Sequence, residues 1–306
     1  MILVVILYAL FGYSFVLSKL LLEYAGPFFA TGLRMTAGGI VLLAYIFFSK
    51  NISCYPRRED LKYYLQYAIL GIFLPYVLRL WAQQYIPSVK ASFLFTLSPF
   101  FTAIMAYFFN KEKVSLLQFF GLLIGFFGML PILITGSDLE GSITSIGIIS
   151  YPELAVILSV ASISYALIVM QHMVKDRKCP PSLANGLSML IGGSLALTGS
   201  IMVEPHLLRG NTTNSIIMLC GIMGFQVLLS NVLCANLRAH LLTTYSSTFM
   251  AFAAFLTPLF TSIYGWLMFG EIISWHFFVS FCIVISGLTL YYHGDSIKDQ
   301  LTDPNL

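Results

Sequence analysis

The chain has 306 residues, of which 58% are apolar and only 9% charged, with a formal net charge of +3. A soluble globular chain carries about 45–50% apolar and about 25% charged residues, so these few charges exclude a surface that faces water all round. The small net charge, with no basic run interleaved with aromatics, excludes nucleic acid as a partner.

The first apolar stretch begins at Met1 without a basic n-region or a cleavage-like site, which marks a retained membrane helix. Crossing the hydrocarbon core takes roughly 20 apolar residues in helical form. Ten such windows follow one another at 2–22, 27–48, 63–85, 88–109, 115–134, 152–173, 182–203, 215–237, 243–269 and 272–293. Short polar separators divide them, and the tail 294–306 reads as disordered. None alternates in polarity at every second residue, as a barrel strand does. The expectation is an all-α integral membrane protein with ten transmembrane helices.

Basic residues set the orientation. One side of the membrane receives Lys50, Arg57, Arg58, Lys62, Lys111, Lys113, Lys175, Arg177, Lys178, Arg238 and Lys298, which is 11 of the 16 Lys and Arg residues. By the positive-inside rule both termini are cytoplasmic, in a bacterial-type inner (plasma) membrane. The five cysteines, Cys54, Cys179, Cys220, Cys234 and Cys282, have no metal-ligand spacing, and no metal or cofactor is expected.

The halves of the chain are alike. Leu97-Ser98-Pro99-Phe100-Phe101-Thr102 recurs as Leu256-Thr257-Pro258-Leu259-Phe260-Thr261, and at the same offset of 159 Glu112 meets Glu271, Ser115 meets Ser274 and Gly128 meets Gly287. From Leu97 to Met129, 10 of 33 positions are identical at that offset, which also pairs Arg79 with Arg238. Earlier, Pro27, Ala30, Gly32, Met35, Gly38 and Gly39 meet Pro181, Ala184, Gly186, Met189, Gly192 and Gly193. Equivalent helices lie five spans apart and so point in opposite directions, which predicts two inverted-topology five-helix repeats, as secondary transporters use for alternating access. The expected organisation is a first repeat at 1–134, a linker at 135–151, a second repeat at 152–293 and a tail at 294–306.

With the helix entered through Pro27 and carrying Arg34, and with the duplicated Pro99…Glu112…Gly128 and Pro258…Glu271…Gly287 stretches, the chain resembles the drug/metabolite transporter superfamily, specifically its EamA-type ten-helix members. That resemblance implies a central cavity between two four-helix sets, with helices five and ten at the periphery. It also implies transport of a small metabolite, such as an amino acid or an S-adenosylmethionine-like compound. Drugs and nucleotide-sugar or lipid-linked cargo remain alternatives within the class.

Ionisable groups at membrane depth default to function. Arg79 lies roughly 24 Å along the third helix at about 1.5 Å per residue. Its repeat-mate Arg238 either meets an anionic group from the other side or snorkels to the cytoplasmic surface. Arg34 either joins the site or braces its helix. Lys19 and Lys90 fall near the external mouth, and the summed charge favours a substrate bearing a carboxylate or phosphate. Gln226, Ser230 and Asn231 share one face at helical spacing, as ligand partners or as glue between helices. Tyr13, Phe15, Tyr76 and Trp81 would stack on a flat substrate moiety or belong to interfacial belts. Glu112 and Glu271 precede apolar helices and read as helix-start carboxylates.

Two further readings stand beside transport. A membrane-embedded enzyme would need a catalytic constellation, but His172, His206, His240, His276 and His293 are scattered. A receptor or assembly subunit would need a large partner surface, but the loops are short. No Asp or Glu lies mid-span, whereas proton-driven carriers relay protons through buried carboxylates. Transport is therefore expected to be facilitated diffusion or exchange. In liposomes without an imposed membrane potential, adding a protonophore leaves uptake unchanged; a collapse of uptake contradicts that expectation.

Overall fold

The computed structural model describes residues 2–48, 58–86, 88–110, 115–134, 145–146, 149–209, 213–269, 278–279, 282–287 and 289–291. In chain order the apolar helices described are α1 (Ile2–Leu21), α2 (Pro27–Phe48), α3 (Arg58–Gln83), α4 (Lys90–Phe109), α5 (Leu116–Gly128), α6 (Tyr151–Asp176), α7 (Pro181–Val203), α8 (Asn214–Leu241), α9 (Ser247–Met268) and α10 (Cys282–Tyr291). Eight are long and apolar enough to cross a bilayer, whereas the described apolar stretches of α5 and α10 are shorter. Before α6, Ser145–Ile146 pairs antiparallel with Ile149–Ser150. Glu112, Glu271, His276, His293, most of the linker and the whole tail lie outside the described residues.

Helix starts follow local chemistry. Ser150 caps α6 through a reciprocal box with Glu153, whose carboxylate accepts from the Ser150 N–H at 2.6 Å. Ser246 caps α9 by accepting from the Phe249 N–H at 3.1 Å, so that helix begins later than its apolar window. The first turn of α2 is capped from afar. Glu204, just past α7, accepts from the N–H groups of Phe28 at 2.7 Å and Phe29 at 3.0 Å.

The long helices are not uniform. Within α3, Tyr67–Phe73 is π-helical, and the Leu74 N–H reaches back five residues to the Ile69 carbonyl. In that register Pro75, which has no N–H, leaves the Leu70 carbonyl without its backbone donor. Ser162 of α6 supplies the missing bond at 2.6 Å, and Ser159 donates to the Pro75 carbonyl at 2.9 Å. In a bilayer such internal repair is obligatory, because no water reaches the freed group. Helix α8 has its own π segment, Val227–Cys234, placed before Arg238 much as the first is placed before Arg79.

The fourth and ninth helices also break at matching places. In α4 the turn Phe95–Leu97 tightens to a 3₁₀ form before Pro99, and in α9 the chain turns at Ala254 and Phe255 before Pro258. The Thr257 N–H bonds the Ala254 carbonyl at 2.9 Å, three residues back. Proline cannot close the four-residue bond, so the preceding turn tightens instead.

Closest packing lies between α2 and α7. A Cβ on Gly193 would stand 2.5 Å from the backbone nitrogen of Thr36, and one on Gly39 would stand 2.8 Å from that of Leu190. Helix backbones meet this way in membranes because apolar association has no solvent drive and rests on dispersion contacts. Helices α5 and α10 meet similarly, with Gly121 and Gly287 each facing the other's carbonyl. Replacing Gly193 with Val is expected to destabilise the fold by at least about 1–3 kcal/mol, since backbone atoms cannot yield to a new side chain. Gly224→Ala, which meets nothing within 4 Å, serves as the neutral control. Thermal unfolding of the two purified variants in detergent checks both.

Candidate functional site

The breaks in α3, α4 and α9 surround a cavity enclosing roughly 660 Å³ of unfilled space, its open part included. One wall comes from α1, α3 and α4 through Tyr8, Phe11, Phe15, Pro75, Tyr76, Arg79, Phe95 and Ser98. The other comes from α6, α8 and α9 through Ile163, Leu167, Arg238, Ala251, Ala254 and Thr257. Three pairs separated by 159 residues face the same space: Arg79 with Arg238, Phe95 with Ala254, and Ser98 with Thr257.

The arginines are held by rings and hydroxyls. Arg79, 5% exposed, places its guanidinium carbon 4.5 Å from the Phe15 ring centre and 5.1 Å from that of Tyr76. Arg238, 8% exposed, lies 5.4 Å from the Phe11 ring centre and donates to the Tyr67 hydroxyl at 3.2 Å. It points into the cavity wall, and the snorkelling alternative does not describe it. Arg34 is completely buried, and its guanidinium carbon also lies 5.1 Å from the Tyr76 ring centre, but it is not part of the wall.

Among the described residues no carboxylate pairs with Arg34, Arg79 or Arg238. The ion pairs found there join Lys90 to Glu153, His172 to Asp176, and Arg177 to Glu59 and Asp60. A cation–π contact returns roughly 0.5–2 kcal/mol, whereas removing an ion from water costs several kcal/mol. Aromatic faces therefore do not balance the buried charge.

Several residues expected at the site do other work. Gln226 donates to the Ser18 hydroxyl at 2.7 Å and to the Ser14 carbonyl at 3.2 Å, and Ser230 accepts from the Ser14 hydroxyl at 3.2 Å. Asn231 packs its amide nitrogen 2.9 Å from the Met35 sulfur. These three hold α8 against α1 and α2, the gluing role, and are absent from the cavity wall. Tyr13 packs edge-on against Tyr264 at 5.1 Å, and Trp81 against Tyr85 at 5.3 Å, both away from the cavity. Helix rotation is the reason for Tyr13, whose face turns to α9, whereas Trp81 packs on a ring four residues along its own chain.

The cavity includes residues the sequence reading did not nominate. Tyr8 donates to the Met250 carbonyl, joining α1 to α9 beside the wall. Ser98 and Thr257 sit within the duplicated Leu-Ser/Thr-Pro motif, and that duplication was the signal available for them. Outside the cavity wall, Ser18 is the largest omission. Its hydroxyl accepts from Gln226, from Arg34 at 3.4 Å and from Arg79 at 3.4 Å, and donates to the Ser14 carbonyl at 2.8 Å.

Comparison with known proteins follows this geometry. The family described as the EamA-like transporter family matches residues 1–134 and 150–292. The S-adenosylmethionine/S-adenosylhomocysteine transporter of Chlamydia muridarum is 31% identical over 285 residues, spanning 92% of this chain and 87% of that protein. The protein of the same name from Chlamydia trachomatis serovar L2 is 30% identical, spanning 92% and 85%. A chloroplastic WAT1-related protein of Arabidopsis thaliana is 23% identical over 270 residues, spanning 86% of this chain and 62% of its own length. One crystal structure overlays 99% of this chain and 97% of its own with a TM-score of 0.73 at 13% identity, a likeness of fold.

Ser18→Ala removes the acceptor shared by three buried donors. It is expected to lower stability by roughly 1–3 kcal/mol. Ser262→Ala, which loses only a bond to the Pro258 carbonyl of its own helix, leaves stability unchanged. Paired thermal melts of the two variants check this.

Proposed function

Because this chain belongs to the EamA-like transporter family, we propose that it carries an adenosyl amino acid across the membrane by alternating access, with S-adenosylmethionine and S-adenosylhomocysteine as the substrates. The observation that carries the reading is the cavity itself. It offers two guanidiniums, Arg79 and Arg238, without carboxylate partners among the described residues, inside walls of Tyr8, Phe11, Phe15, Tyr76 and Phe95. Arg79 takes the substrate's carboxylate with charge-assisted bonds. The rings take the adenine by offset or edge stacking, and their faces accommodate a sulfonium centre as they do other onium groups. The two Chlamydia relatives, each spanning 92% of this chain, are named for the same pair of compounds.

In this reading the two halves are inverted five-helix repeats, 1–134 and 152–293, within a ten-helix bundle. Support comes from the three cavity pairs separated by 159 residues, from the two π segments and from the two proline breaks. A pseudo-twofold through the cavity gives each membrane face one arginine, Arg79 or Arg238, to receive the same carboxylate. The distribution of basic residues supports both termini on the cytoplasmic side of a bacterial-type inner membrane.

Proteoliposomes loaded with labelled S-adenosylmethionine test the assignment. Arg79→Ala is expected to reduce flux roughly tenfold to hundredfold at subsaturating substrate, the equivalent of one hydrogen-bonded charge. An analogue lacking the carboxylate should fail to compete with substrate in the intact protein. Undiminished flux in the Arg79 variant overturns the reading.

A further inference from the structure

The arrangement around Ser18 extends beyond the cavity wall. Arg34 and Arg79 each donate to the same Ser18 oxygen at 3.4 Å, so their nitrogens stand no farther apart than twice that distance. Both guanidinium carbons also lie 5.1 Å from the centre of one ring, that of Tyr76. Two positive groups are thus gathered in one buried place, against the repulsion that would separate them.

The protein groups present do not use up their donors. Arg34 Nε, Arg34 Nη2 and Arg79 Nε are buried, with no hydrogen-bond partner among the described residues. A hydroxyl oxygen has two lone pairs, and Gln226 already takes the closest approach to Ser18 at 2.7 Å. The bonds from the two arginines are correspondingly long. Water would satisfy some of the N–H groups but would not offset two like charges in a medium of low dielectric. A small anion does both.

We propose that Arg34, Arg79 and Ser18 form an anion subsite at the back of the cavity, holding a free halide such as chloride in the unloaded carrier and the substrate's carboxylate in the loaded one. The second half of this statement rests on the transport reading above. Arg34 has no exposed surface and is not in the cavity wall, so only a small free anion, or the terminal carboxylate of a ligand that stays in the cavity, reaches it past Arg79. One anion is bound at a time, and substrate displaces the halide.

Purified full-length protein in detergent, titrated with sodium chloride against sodium gluconate at constant ionic strength, tests the subsite without any substrate. The expected result is a saturable, chloride-specific rise in melting temperature, with a half-saturating concentration at least about tenfold higher in Arg34→Gln. If that variant fails to fold, Arg79→Gln takes its place and is expected to show the same weakening. Absence of a chloride-specific rise in the wild type, or equal half-saturation in wild type and variant, overturns the subsite. In proteoliposomes, chloride should raise the half-saturating concentration of S-adenosylmethionine without lowering its maximal flux. Substrate affinity indifferent to chloride, despite chloride binding, overturns the displacement. Chloride binding in a protein that does not move adenosyl amino acids sinks the transport reading alone, and transport by a protein that shows no chloride-specific rise in melting temperature sinks the subsite alone.

Discussion

A guanidinium taken out of water costs several kcal/mol unless a counter-charge and hydrogen bonds accompany it. Arg34, Arg79 and Arg238 are all buried, and no carboxylate pairs with them among the described residues. Rings of Phe11, Phe15 and Tyr76 and hydroxyls of Ser18 and Tyr67 offset part of that cost. The remainder is charge that no described residue compensates, the basis of the anion subsite proposed above. Much of the surrounding structure serves to keep those three groups in place while empty of countercharge from the chain itself.

The backbone around the cavity shows how this is done. Membrane helices tolerate proline and π turns only where neighbours restore the lost hydrogen bonds. Pro75 opens α3 beside the cavity, Ser162 of α6 bonds the freed Leu70 carbonyl, and Ser159 bonds that of Pro75. Pro99 and Pro258 follow turns that tighten within α4 and α9, at the points where Phe95, Ser98, Ala254 and Thr257 line the wall. The irregular backbone therefore concentrates around the ligand space, where a carrier needs helices that bend. The α2–α7 contact supplies the opposite property, since glycine-mediated contact between backbones leaves little room to slide.

Other polar residues lock helices together without facing a ligand. Gln226 and Ser230 of α8 are tied to Ser14 and Ser18 of α1, and Glu204 caps α2 across a long stretch of sequence. Arg209 donates to the Leu22 carbonyl at 3.0 Å and to Gln84, so the segment after α7 clasps the ends of α1 and α3. These bonds fasten elements that belong to different halves of the chain. They make the cavity a joint product of both halves.

Hydropathy, charge placement and self-similarity could be read directly from the chain: a helical membrane protein, the order of its long helices, and Arg79 and Arg238 as equivalent positions at one offset. Such features are legible because bilayer thickness sets helix length and because a repeat preserves its prolines and glycines in register. The direction in which each polar side chain points was not legible. In a span apolar on every face, periodicity does not distinguish a cavity side from a helix contact, and the π segments of α3 and α8 reset the rotation of everything beyond them. Only the packed structure sent Gln226, Asn231 and Tyr13 to helix contacts, set Trp81 against Tyr85, brought Arg238 inward, and made Ser18 the oxygen that two arginines share.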